Sequence, residues 1–308
     1  MFNPTPIEHY PKLSKFLGIE LYVKRDDYFP LAGGGNKARK IINIFSDAVK
    51  KGSDAVVSCG AANSNHARVV AIEAARRGWK AVIIIHDIED YQKGNLLIMK
   101  LSGAHIVFVK KDEVKVAMDN AMNKLKKEGR RPYYIWGGGH SIEGSIAYYE
   151  CFKEIEKQSK GVYDVIIHAS GTGTTQTGLH FGAIQAKSNT KVIGISVARN
   201  QTRGIEVINE SLIEICQHYD EPFSQIGKMN FYDEFSCGGY EKIDEKLLDT
   251  LRFSATCEGL ILDPTYTGKA FYGLLELVDR KIIQPSSKIL FLHTGGEINL
   301  FPYSNQLV

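Results

Sequence analysis

Short apolar runs alternate with longer amphipathic segments along this chain. The apolar runs are rich in β-branched residues and predict strands at 55–58, 81–85, 106–109, 133–135, 163–168, 192–196 and 289–292. The segments between them predict helices over about 64–77, 96–101, 114–127, 142–157 and 270–278, and one that begins near 175. Buried strands joined by helices indicate parallel β-α-β units with both sheet faces covered. The pattern therefore predicts an α/β fold.

Lys37 lies in a Gly-rich run, 33–40, that leads into a helix. Three consecutive glycines lose much backbone entropy on folding and leave room for another group to approach the main chain. A lysine in this position supplies charge to a phosphate or, when desolvated, an amine nucleophile. The alternative is an ordinary surface turn before a basic helix, and the other loops have to decide between the two.

In parallel sheets, ligands bind at the carboxyl ends of the strands, and four loops at such positions are chemically unusual. The first loop, 59–66, brings the hydroxyl of Ser64, the amide of Asn65 and the imidazole of His66 into one turn. Together with the free N–H groups of a helix start, these donors suit a carboxylate. The alternative is that Asn63 or Ser64 only caps the helix.

The second loop, 169–178, combines glycines and hydroxyl groups at a helix start. Its central residues are Gly171, Thr172, Gly173, Thr174 and Thr175. Such a loop forms an anion nest suited to a phosphate ester. It has neither the lysine of a Walker A loop nor the spacing G-x-G-x-x-G, so a single phosphate fits better than a nucleotide. A flexible turn is the alternative.

The last two loops add side chains for a flat ring. In 262–269, Pro264 and Gly268 fix the backbone around Tyr266, which is either a general acid/base or stacking wall, or a buried structural residue. In 293–296, two glycines follow Thr294 and let a ring approach the backbone. An amine, a phosphate cradle, a carboxylate cradle and a hydroxyl for a ring edge together fit pyridoxal 5'-phosphate acting on a small amino acid.

As a set, these motifs resemble the fold-type II pyridoxal-phosphate enzymes, in the branch of the 1-aminocyclopropane-1-carboxylate deaminases and D-cysteine desulfhydrases. The resemblance runs from about residue 4 to residue 302. It implies a tryptophan synthase β-like fold with two open, twisted, mostly parallel-sheet domains and the active site between them. The small domain is expected at 41–146, inserted into a large cofactor-binding domain made of 1–40 and 147–308.

The resemblance also implies roles for individual residues. Lys37 is expected to form the Schiff base, Lys40 to contact the phosphate and Asn65 to contact the ring oxygen. The residues expected in catalysis are Lys37, Ser64, Tyr240 and Tyr266. Those expected to bind the cofactor are Lys37, Lys40, Asn65, Gly171, Thr172, Gly173, Thr174, Thr175, Thr267 and Thr294. Those expected around the substrate carboxylate are Ser64, Asn65 and His66.

Two hydroxyl groups guide the choice within this branch. In the family, the deaminases carry Glu after the second active-site tyrosine and lack a hydroxyl near the ring nitrogen, whereas this chain has Thr267 and Thr294. A carboxylate there would keep the ring nitrogen protonated and deepen the electron sink. Hydroxyl groups favour α,β-elimination, as in a D-cysteine desulfhydrase, which gives pyruvate, ammonia and sulfide.

Other functions stay open at this stage. Enzyme alternatives are a 1-aminocyclopropane-1-carboxylate deaminase, a cysteate sulfo-lyase, a D-serine or diaminopropionate ammonia-lyase, and a racemase. A phosphosugar- or nucleotide-binding module is the non-enzyme alternative. The segment 86–95, which lies beside the substrate in relatives, is several residues shorter than the family norm and leaves the substrate, its stereochemistry and the leaving group undecided.

Composition narrows the setting of the protein. The 308 residues carry a net charge of only +3, with acidic and basic residues interleaved, which argues against nucleic-acid or membrane surfaces as partners. No secretory signal is visible, and the five cysteines are scattered without a C-x-x-C pair. We therefore expect a cytoplasmic protein without a metal site, and the resemblance implies a homodimer.

Overall fold

The strands form two sheets in the computed structural model, which describes residues 3–87, 94–223 and 229–307. The strands are β1 Ile7–His9, β2 Glu20–Lys24, β3 Ala55–Gly60, β4 Lys80–Ile85, β5 His105–Phe108, β6 Pro132–Ile135, β7 Val165–Ser170, β8 Lys191–Ser196, β9 Asn230–Tyr232 and β10 Lys288–Leu292. The α-helices are α1 Pro11–Leu17, α2 Gly35–Lys50, α3 Asn65–Arg76, α4 Asn95–Leu101, α5 Val114–Lys127, α6 Ile142–Ser159, α7 Thr174–Gln185, α8 Gln201–His218, α9 Glu245–Glu258, α10 Thr267–Asp279 and α11 Ser304–Leu307. Among these described helices, each is too short or too polar to cross a bilayer.

The topology confirms the predicted α/β fold with two mostly parallel sheets. The larger sheet has the strand order β1-β2-β10-β7-β8-β9, in which β1 pairs antiparallel with β2 and the other neighbours are parallel. The smaller sheet has the order β5-β4-β3-β6 and is parallel throughout. Its four strands fall inside the predicted small domain, 41–146. The domain boundaries themselves stay a prediction, and α2 continues without a break across residue 40.

Both faces of the larger sheet are covered by apolar side chains. Along β10, Ile289 and Phe291 belong to one buried cluster, whereas Leu290 and Leu292 belong to another on the opposite face. Successive side chains of a strand point to opposite faces, so this division means that helices cover both sides. The carboxyl ends of the strands are therefore the accessible part of the sheet.

Two predicted elements have different bounds in the structure. The strand predicted at 163–168 lies instead at Val165–Ser170, which brings Ser170 to the carboxyl end of β7. The helix predicted at 270–278 begins three residues earlier, at Thr267. The carboxylate of Asp263 accepts hydrogen bonds from the backbone N–H groups of Thr265, Tyr266 and Thr267, and these bonds supply acceptors at the start of the helix.

A buried ionic network anchors the first turns of α2. Arg39 donates to both carboxylate oxygens of Asp26 at 2.6 and 2.9 Å, and Asp26 also accepts from the hydroxyl of Tyr148 at 2.6 Å. Arg39 also donates to Glu154 at 2.8 Å, and Glu154 contacts the ammonium of Lys24. Asp26, Lys24 and Tyr148 are inaccessible to solvent. The network therefore fixes the first turns of α2, the helix that carries Lys37.

Candidate active site

Loops from both sheets enclose a cleft of about 480 Å³. Its wall includes predicted residues from five stretches of the chain, namely Lys37, Ser64, His66, Gly171, Thr172, Tyr240 and Tyr266. A smaller hollow adjoins it and is lined by Lys37, Lys40, Ser170, Gly171, Thr172, Gly173, Thr175, Tyr266 and Thr294, among others. Because Lys37 and Tyr266 line both spaces, they lie where the two meet. The structure thus brings most of the predicted residues together.

The Gly-rich turn before Lys37 needs its glycines. Gly34 has a φ of +75°, and a Cβ atom there would lie 1.8 Å from the carbonyl oxygen of Asp27. Gly35 has a φ of +87°, and its Cβ would lie 2.6 Å from the carbonyl oxygen of Thr294. Other residue types would strain the backbone and push apart the segments that meet there. The turn therefore packs against the end of β10 and presents Lys37 on the first turn of α2.

The amine of Lys37 loses its proton more readily than that of an ordinary lysine. Its Nζ donates a hydrogen bond to the carbonyl oxygen of Gly138 at 3.0 Å. Burial, and then the positive charge of Arg199, lower the pKa of Lys37 to about 8. A neutral amine is the form that attacks a carbonyl or accepts a proton. The sequence left open whether Lys37 lies in an exposed surface turn or in a functional site. Its burial favours a functional site, because an exposed turn would not lower the pKa of the amine in this way.

The phosphate loop, 169–178, contains hydrogen-bond donors that no acceptor in its own helix satisfies. The loop begins after β7, and α7 starts at Thr174, so the first N–H groups of that helix have no acceptor within it. Lys40 Nζ donates to the hydroxyl of Thr174 at 2.8 Å, and Asn36 donates to the hydroxyl of Thr175 at 3.3 Å. The buried hydroxyl of Ser170 has no hydrogen-bond partner among the described residues. Lysine, hydroxyl and backbone donors together fit a phosphate ester.

Ser64 and His66 stand on the other side of the cleft, on the loop after β3. Ser64 is the N-cap of α3, because its Oγ accepts from the N–H of Ala67 at 3.2 Å, and it also lines the cleft. The hydroxyl of Ser58 donates to the carbonyl of Ile135, so it must accept from Nε2 of His66, which lies 2.9 Å away. Burial, and then the nearby lysines, hold the pKa of His66 well below its ordinary value. His66 is therefore a neutral imidazole whose Nε2 carries the proton.

Asn65 is the member of this motif that lies outside the walls of both spaces. It is buried, and its Oδ1 accepts from the amide of Asn95 at 3.0 Å. The same Asn95 amide group contacts the carbonyl of Asn63 at 2.7 Å and Oδ1 of Asn299 at 3.0 Å. These contacts leave the NH₂ group of Asn65 as its remaining donor. Its predicted contact with a ring oxygen stays a prediction.

Tyr240 and Tyr266 form a hydrogen-bonded pair at the cleft. Their hydroxyl oxygens are 2.8 Å apart, and their rings meet edge to face with centroids 6.0 Å apart. Burial, and then the charge of Tyr266, raise the pKa of Tyr240 well above its ordinary value, and burial also raises the pKa of Tyr266. Both hydroxyl groups therefore keep their protons over the neutral range. The pair can donate a proton into the cleft and redistribute it.

The two threonines predicted at the ring nitrogen have different positions. Thr294 lines the smaller hollow, whereas Thr267 is fully buried and lies outside the walls of both spaces. The Thr267 hydroxyl donates to Asp263 Oδ1 and accepts from the Asp263 N–H, each at 2.8 Å. Its hydrogen-bonding capacity is thus used inside its own loop. The prediction that Thr267 contacts the cofactor is not supported by this placement, whereas Thr294 remains in reach of a ring.

Several residues at the site were not identified from the sequence. They are Gly138, Ser170, Arg199, Glu241 and Asp263. Gly138 lies in a glycine triplet directly after β6, and Arg199 lies three residues after β8, so the rule that sites form at the carboxyl ends of strands could have found both. Asp263 gave no signal, because its role depends on how its own loop folds back.

Glu241 follows Tyr240 in an unusual backbone conformation. Its φ is +57°, which is uncommon for a residue other than glycine. Its Oε1 is buried without a hydrogen-bond partner among the described residues. Burial, and then the charge of Asp87, raise the pKa of Glu241 to about 7. Tyr240 is therefore followed by a carboxyl group that titrates near neutrality.

One group of side chains among the described residues has the composition of a metal site, namely Asp27, His293 and Glu297. Both ring nitrogens of His293 already take part in hydrogen bonds. Nδ1 accepts from the N–H of Gly295 at 3.2 Å, and Nε2 donates to the carbonyl of Ile261 at 2.7 Å. A metal ligand needs a free nitrogen lone pair. We therefore interpret this group as a hydrogen-bonded cluster.

The short segment predicted to border the substrate is only partly described. His86 lines the cleft, and Asn95 begins α4. Residues 88–93 lie outside the described residues, so the effect of the shorter segment stays a prediction.

Comparisons with known proteins agree on one family. Residues 1–295 match the model of the family described as pyridoxal-phosphate dependent enzymes. A putative 1-aminocyclopropane-1-carboxylate deaminase of Pyrococcus horikoshii is 37% identical over 99% of this chain and 93% of its own length. A D-cysteine desulfhydrase of Klebsiella pneumoniae is 32% identical over 99% of this chain and 95% of its own length. The crystal structure of an ACC deaminase homologue superposes with a TM-score of 0.93 at 35% identity, covering 99% of this chain and 93% of that one.

Proposed function

The chain belongs to the pyridoxal-phosphate dependent enzymes, and we propose that it is a lyase that catalyses α,β-elimination from a small amino acid, as a D-cysteine desulfhydrase does. The amino acid X–CH₂–CH(NH₃⁺)–COO⁻ and one water give pyruvate, ammonium and HX. When X is a thiol group, the product is sulfide. This function uses the lysine, the phosphate loop and the tyrosine pair together.

The residues that line the smaller hollow give the main support for this proposal. They contain lysines, hydroxyl groups and glycines, and the residues that line it include no carboxylate. Pyridoxal phosphate bound there supplies an electron sink at the amino acid's Cα. A hydroxyl such as Thr294 does not hold the ring nitrogen protonated as a carboxylate would. The resulting weaker sink suits the loss of a good leaving group better than the opening of a cyclopropane ring.

The cofactor fits the donors that the structure provides. The lowered pKa of Lys37 makes its neutral form, which joins the cofactor's aldehyde, more accessible than in an ordinary lysine, and the loop from Gly171 to Thr175 offers N–H and hydroxyl donors for the phosphate. Lys40 adds an amine donor beside Thr174. Burial, and then Lys37, hold the pKa of Lys40 well below its ordinary value, and a bound phosphate would favour its charged form. We propose that Thr294 faces the ring nitrogen from the end of β10.

The chain's own residues can divide the proton transfers among them. We propose that the freed amine of Lys37 takes the proton from Cα, because Lys37 lies where the hollow meets the cleft. The protonated Tyr266 and Tyr240 then donate to the departing group. The hydroxyl of Ser64 binds the α-carboxylate on the opposite wall, where the start of α3 adds N–H donors. His66 has no ring N–H left for the carboxylate, because its only one, at Nε2, donates to Ser58, so the predicted contact of His66 is not supported by this placement.

A panel of amino acids tests this function. The purified enzyme is incubated with D-cysteine, L-cysteine, β-chloro-D-alanine, β-chloro-L-alanine and 1-aminocyclopropane-1-carboxylate, and pyruvate, 2-oxobutanoate and sulfide are measured. We expect pyruvate from the D-enantiomers and sulfide from D-cysteine. Reaction with L-enantiomers only, or with 1-aminocyclopropane-1-carboxylate only, would contradict the proposal.

Uptake of the cofactor should report the lowered pKa of Lys37. Only the neutral amine reacts with an aldehyde, so the rate of cofactor binding to the cofactor-free protein should rise with pH with a midpoint near 8. An ordinary lysine would give a midpoint near 10.5, the usual pKa of its side chain. The measurement is stopped-flow absorbance from pH 6 to 10. A rate that keeps rising beyond pH 9 would show that Lys37 has an ordinary pKa.

The tyrosine pair should act as one unit. We expect Tyr266→Phe to lower kcat by about 10²–10⁴-fold, the usual range for a general acid, and Tyr240→Phe to have a similar effect because the two hydroxyls are hydrogen-bonded. The double variant should then be little worse than the more damaging single one. Cofactor absorbance shows whether the variants remain loaded. If the two losses in kcat multiply, the hydroxyls act independently.

Assembly and location complete the proposal. The family resemblance supports a homodimer, which light scattering of the purified protein would test, with a monomer as the contradicting result. All five cysteines are free thiols, as expected in a reducing compartment such as the cytoplasm. We propose a cytoplasmic enzyme whose partner is a small amino acid and not a nucleic acid, and cell fractionation tests the location.

A further inference from the structure

Arg199 places a cation in the cleft, and within the described part of the chain it forms no ion pair with a carboxylate. It follows β8 and lines the wider cleft but not the smaller hollow. Its side chain is half-buried, and none of the ion pairs among the described residues includes it. The nearby acid Glu210 is bound instead by Arg203 at 3.4 Å. Burial of an unpaired charge is unfavourable, so an anionic ligand would stabilise this arrangement.

The contacts of Arg199 leave part of its guanidinium for a ligand. Nη1 donates to the carbonyl oxygen of Gly171, which fixes the side chain beside the first residue of the phosphate loop. A guanidinium has five N–H donors, so this contact does not exhaust it. Its charge also acts on the amine of Lys37. Arg199 is therefore held close to the point where the reaction takes place.

The position of Arg199 differs from that of the predicted carboxylate site. Ser64 and His66 lie on the loop after β3, which belongs to the smaller sheet. Arg199 follows β8, which belongs to the larger sheet. An amino acid whose α-carboxylate lies against the first loop can direct its side chain toward the second. The two walls of the cleft thus offer separate places for two negative charges.

The rim of the cleft has a similar charge. Lys111 and Lys115 line it together with one acid, Asp112. Lys115 is partly neutralised by Asp119 at 2.9 Å. These exposed residues contribute long-range attraction at most, because solvent screens them. Arg199 is the member of this set whose position and burial can select a ligand.

We propose that Arg199 binds a negatively charged group on the substrate's side chain. The preferred substrate is then a β-substituted alanine whose leaving group is anionic, such as a sulfonate, a sulfate ester or a phosphate ester. This inference rests on the proposed elimination. The Cα–H bond breaks with its proton going to Lys37, and the electron pair of that bond forms a Cα=Cβ double bond. The Cβ–X bond breaks, and X leaves with that bond's electron pair. Arg199 balances the negative charge that X gains.

Substrates with and without a charged leaving group test this assignment. Serine O-sulfate is compared with β-chloroalanine, both as the enantiomer that the enzyme uses. We expect the wild type to prefer serine O-sulfate in kcat/KM, and Arg199→Met to lower that preference by about 10- to 100-fold, in line with the loss of a charged hydrogen bond. Arg199→Lys should lose less. The matched control is Arg130→Met, which removes an exposed arginine outside the cleft and should leave the preference unchanged.

Two further measurements separate the possible roles. Calorimetry of serine O-sulfate binding to Lys37→Ala, with and without Arg199→Met, reports binding without turnover, and we expect the second change to weaken it by a similar factor. Cofactor content reports whether Arg199 holds only the phosphate loop through Gly171. An equal loss with both substrates, or loss of cofactor with an unchanged preference, would overturn the assignment. If the wild type converts β-chloroalanine without preferring serine O-sulfate, the elimination stands and this inference fails. If it converts neither substrate, the elimination fails, and the calorimetry still decides whether Arg199 binds the anion.

Discussion

Replacing Lys37 with alanine is expected to abolish turnover and to remove the long-wavelength absorbance of the bound cofactor. The amine lies where the cleft meets the smaller hollow, and its pKa of about 8 leaves it ready to react. The variant loses both the covalent attachment and the proposed base, so we expect kcat to fall by at least about 10³-fold. Absorbance spectra and pyruvate assays measure the two effects.

A second lysine on the same helix provides the control. Lys50 lies at the exposed end of α2, and Lys50→Ala should leave both the spectrum and the activity unchanged. Lys40→Ala should instead weaken cofactor binding while keeping the long-wavelength band of what remains bound, because Lys40 contacts Thr174 of the phosphate loop. An unchanged spectrum in Lys37→Ala would show that another amine holds the cofactor.

Asp26→Asn is expected to destabilise the fold by about 3–5 kcal/mol, the usual effect of breaking a buried ion pair. The change removes the negative charge from a fully buried site and leaves Arg39 without its closest partner. Urea unfolding of the two proteins measures the difference. The control is Asp249→Asn, which breaks an exposed pair with Arg252 and should change stability by less than about 1 kcal/mol.

The same carboxylate makes part of the stability depend on pH. Burial alone would raise the pKa of Asp26, but Arg39, Tyr148 and Lys24 hold it below the ordinary value. A lowered pKa in the folded state means that the contribution is complete above the unfolded value of about 4 and is lost as the pH falls toward the folded value. We expect the wild type to lose stability below about pH 4, and Asp26→Asn to lack this component.

A variant that fails to fold can be replaced by a milder one. Tyr148→Phe removes only the hydroxyl that donates to Asp26 at 2.6 Å and should cost about 1–3 kcal/mol. If neither change lowers the midpoint of urea unfolding, the network does not stabilise the fold.

The sequence predicts much of the site because of how its chemistry is arranged along the chain. The phosphate loop follows a mostly apolar, buried strand and opens a helix, so its place at a sheet edge follows from the parallel topology. Three consecutive glycines indicate the turn before Lys37. Both signals depend only on residues that are neighbours in the chain, so they can be recognised without a structure.

Features that depend on long-range contacts could not be predicted in this way. Strands β1 and β9 are only three residues long and exist because neighbouring strands supply their hydrogen bonds. Helix α9 differs from these strands, because local signals mark both of its ends, namely the N-cap Asp244 and the C-cap Gly259. The partner of the Thr267 hydroxyl could not be read from the sequence, because it depends on how the loop after Leu262 folds back on itself.

Helix α2 contacts both sheets of the protein. Its second residue donates its N–H to the carbonyl of Thr294 beside the larger sheet, while Ile41, Ile44 and Phe45 pack in the core of the smaller sheet. A 16-residue helix is about 24 Å long, so a rotation of about 10° around its first turn would carry its far end through about 4 Å. Lys37, on that first turn, would move only by a fraction of this distance. A change in the angle between α2 and the larger sheet would therefore displace the reactive amine much less than the strands packed against the far end of the helix.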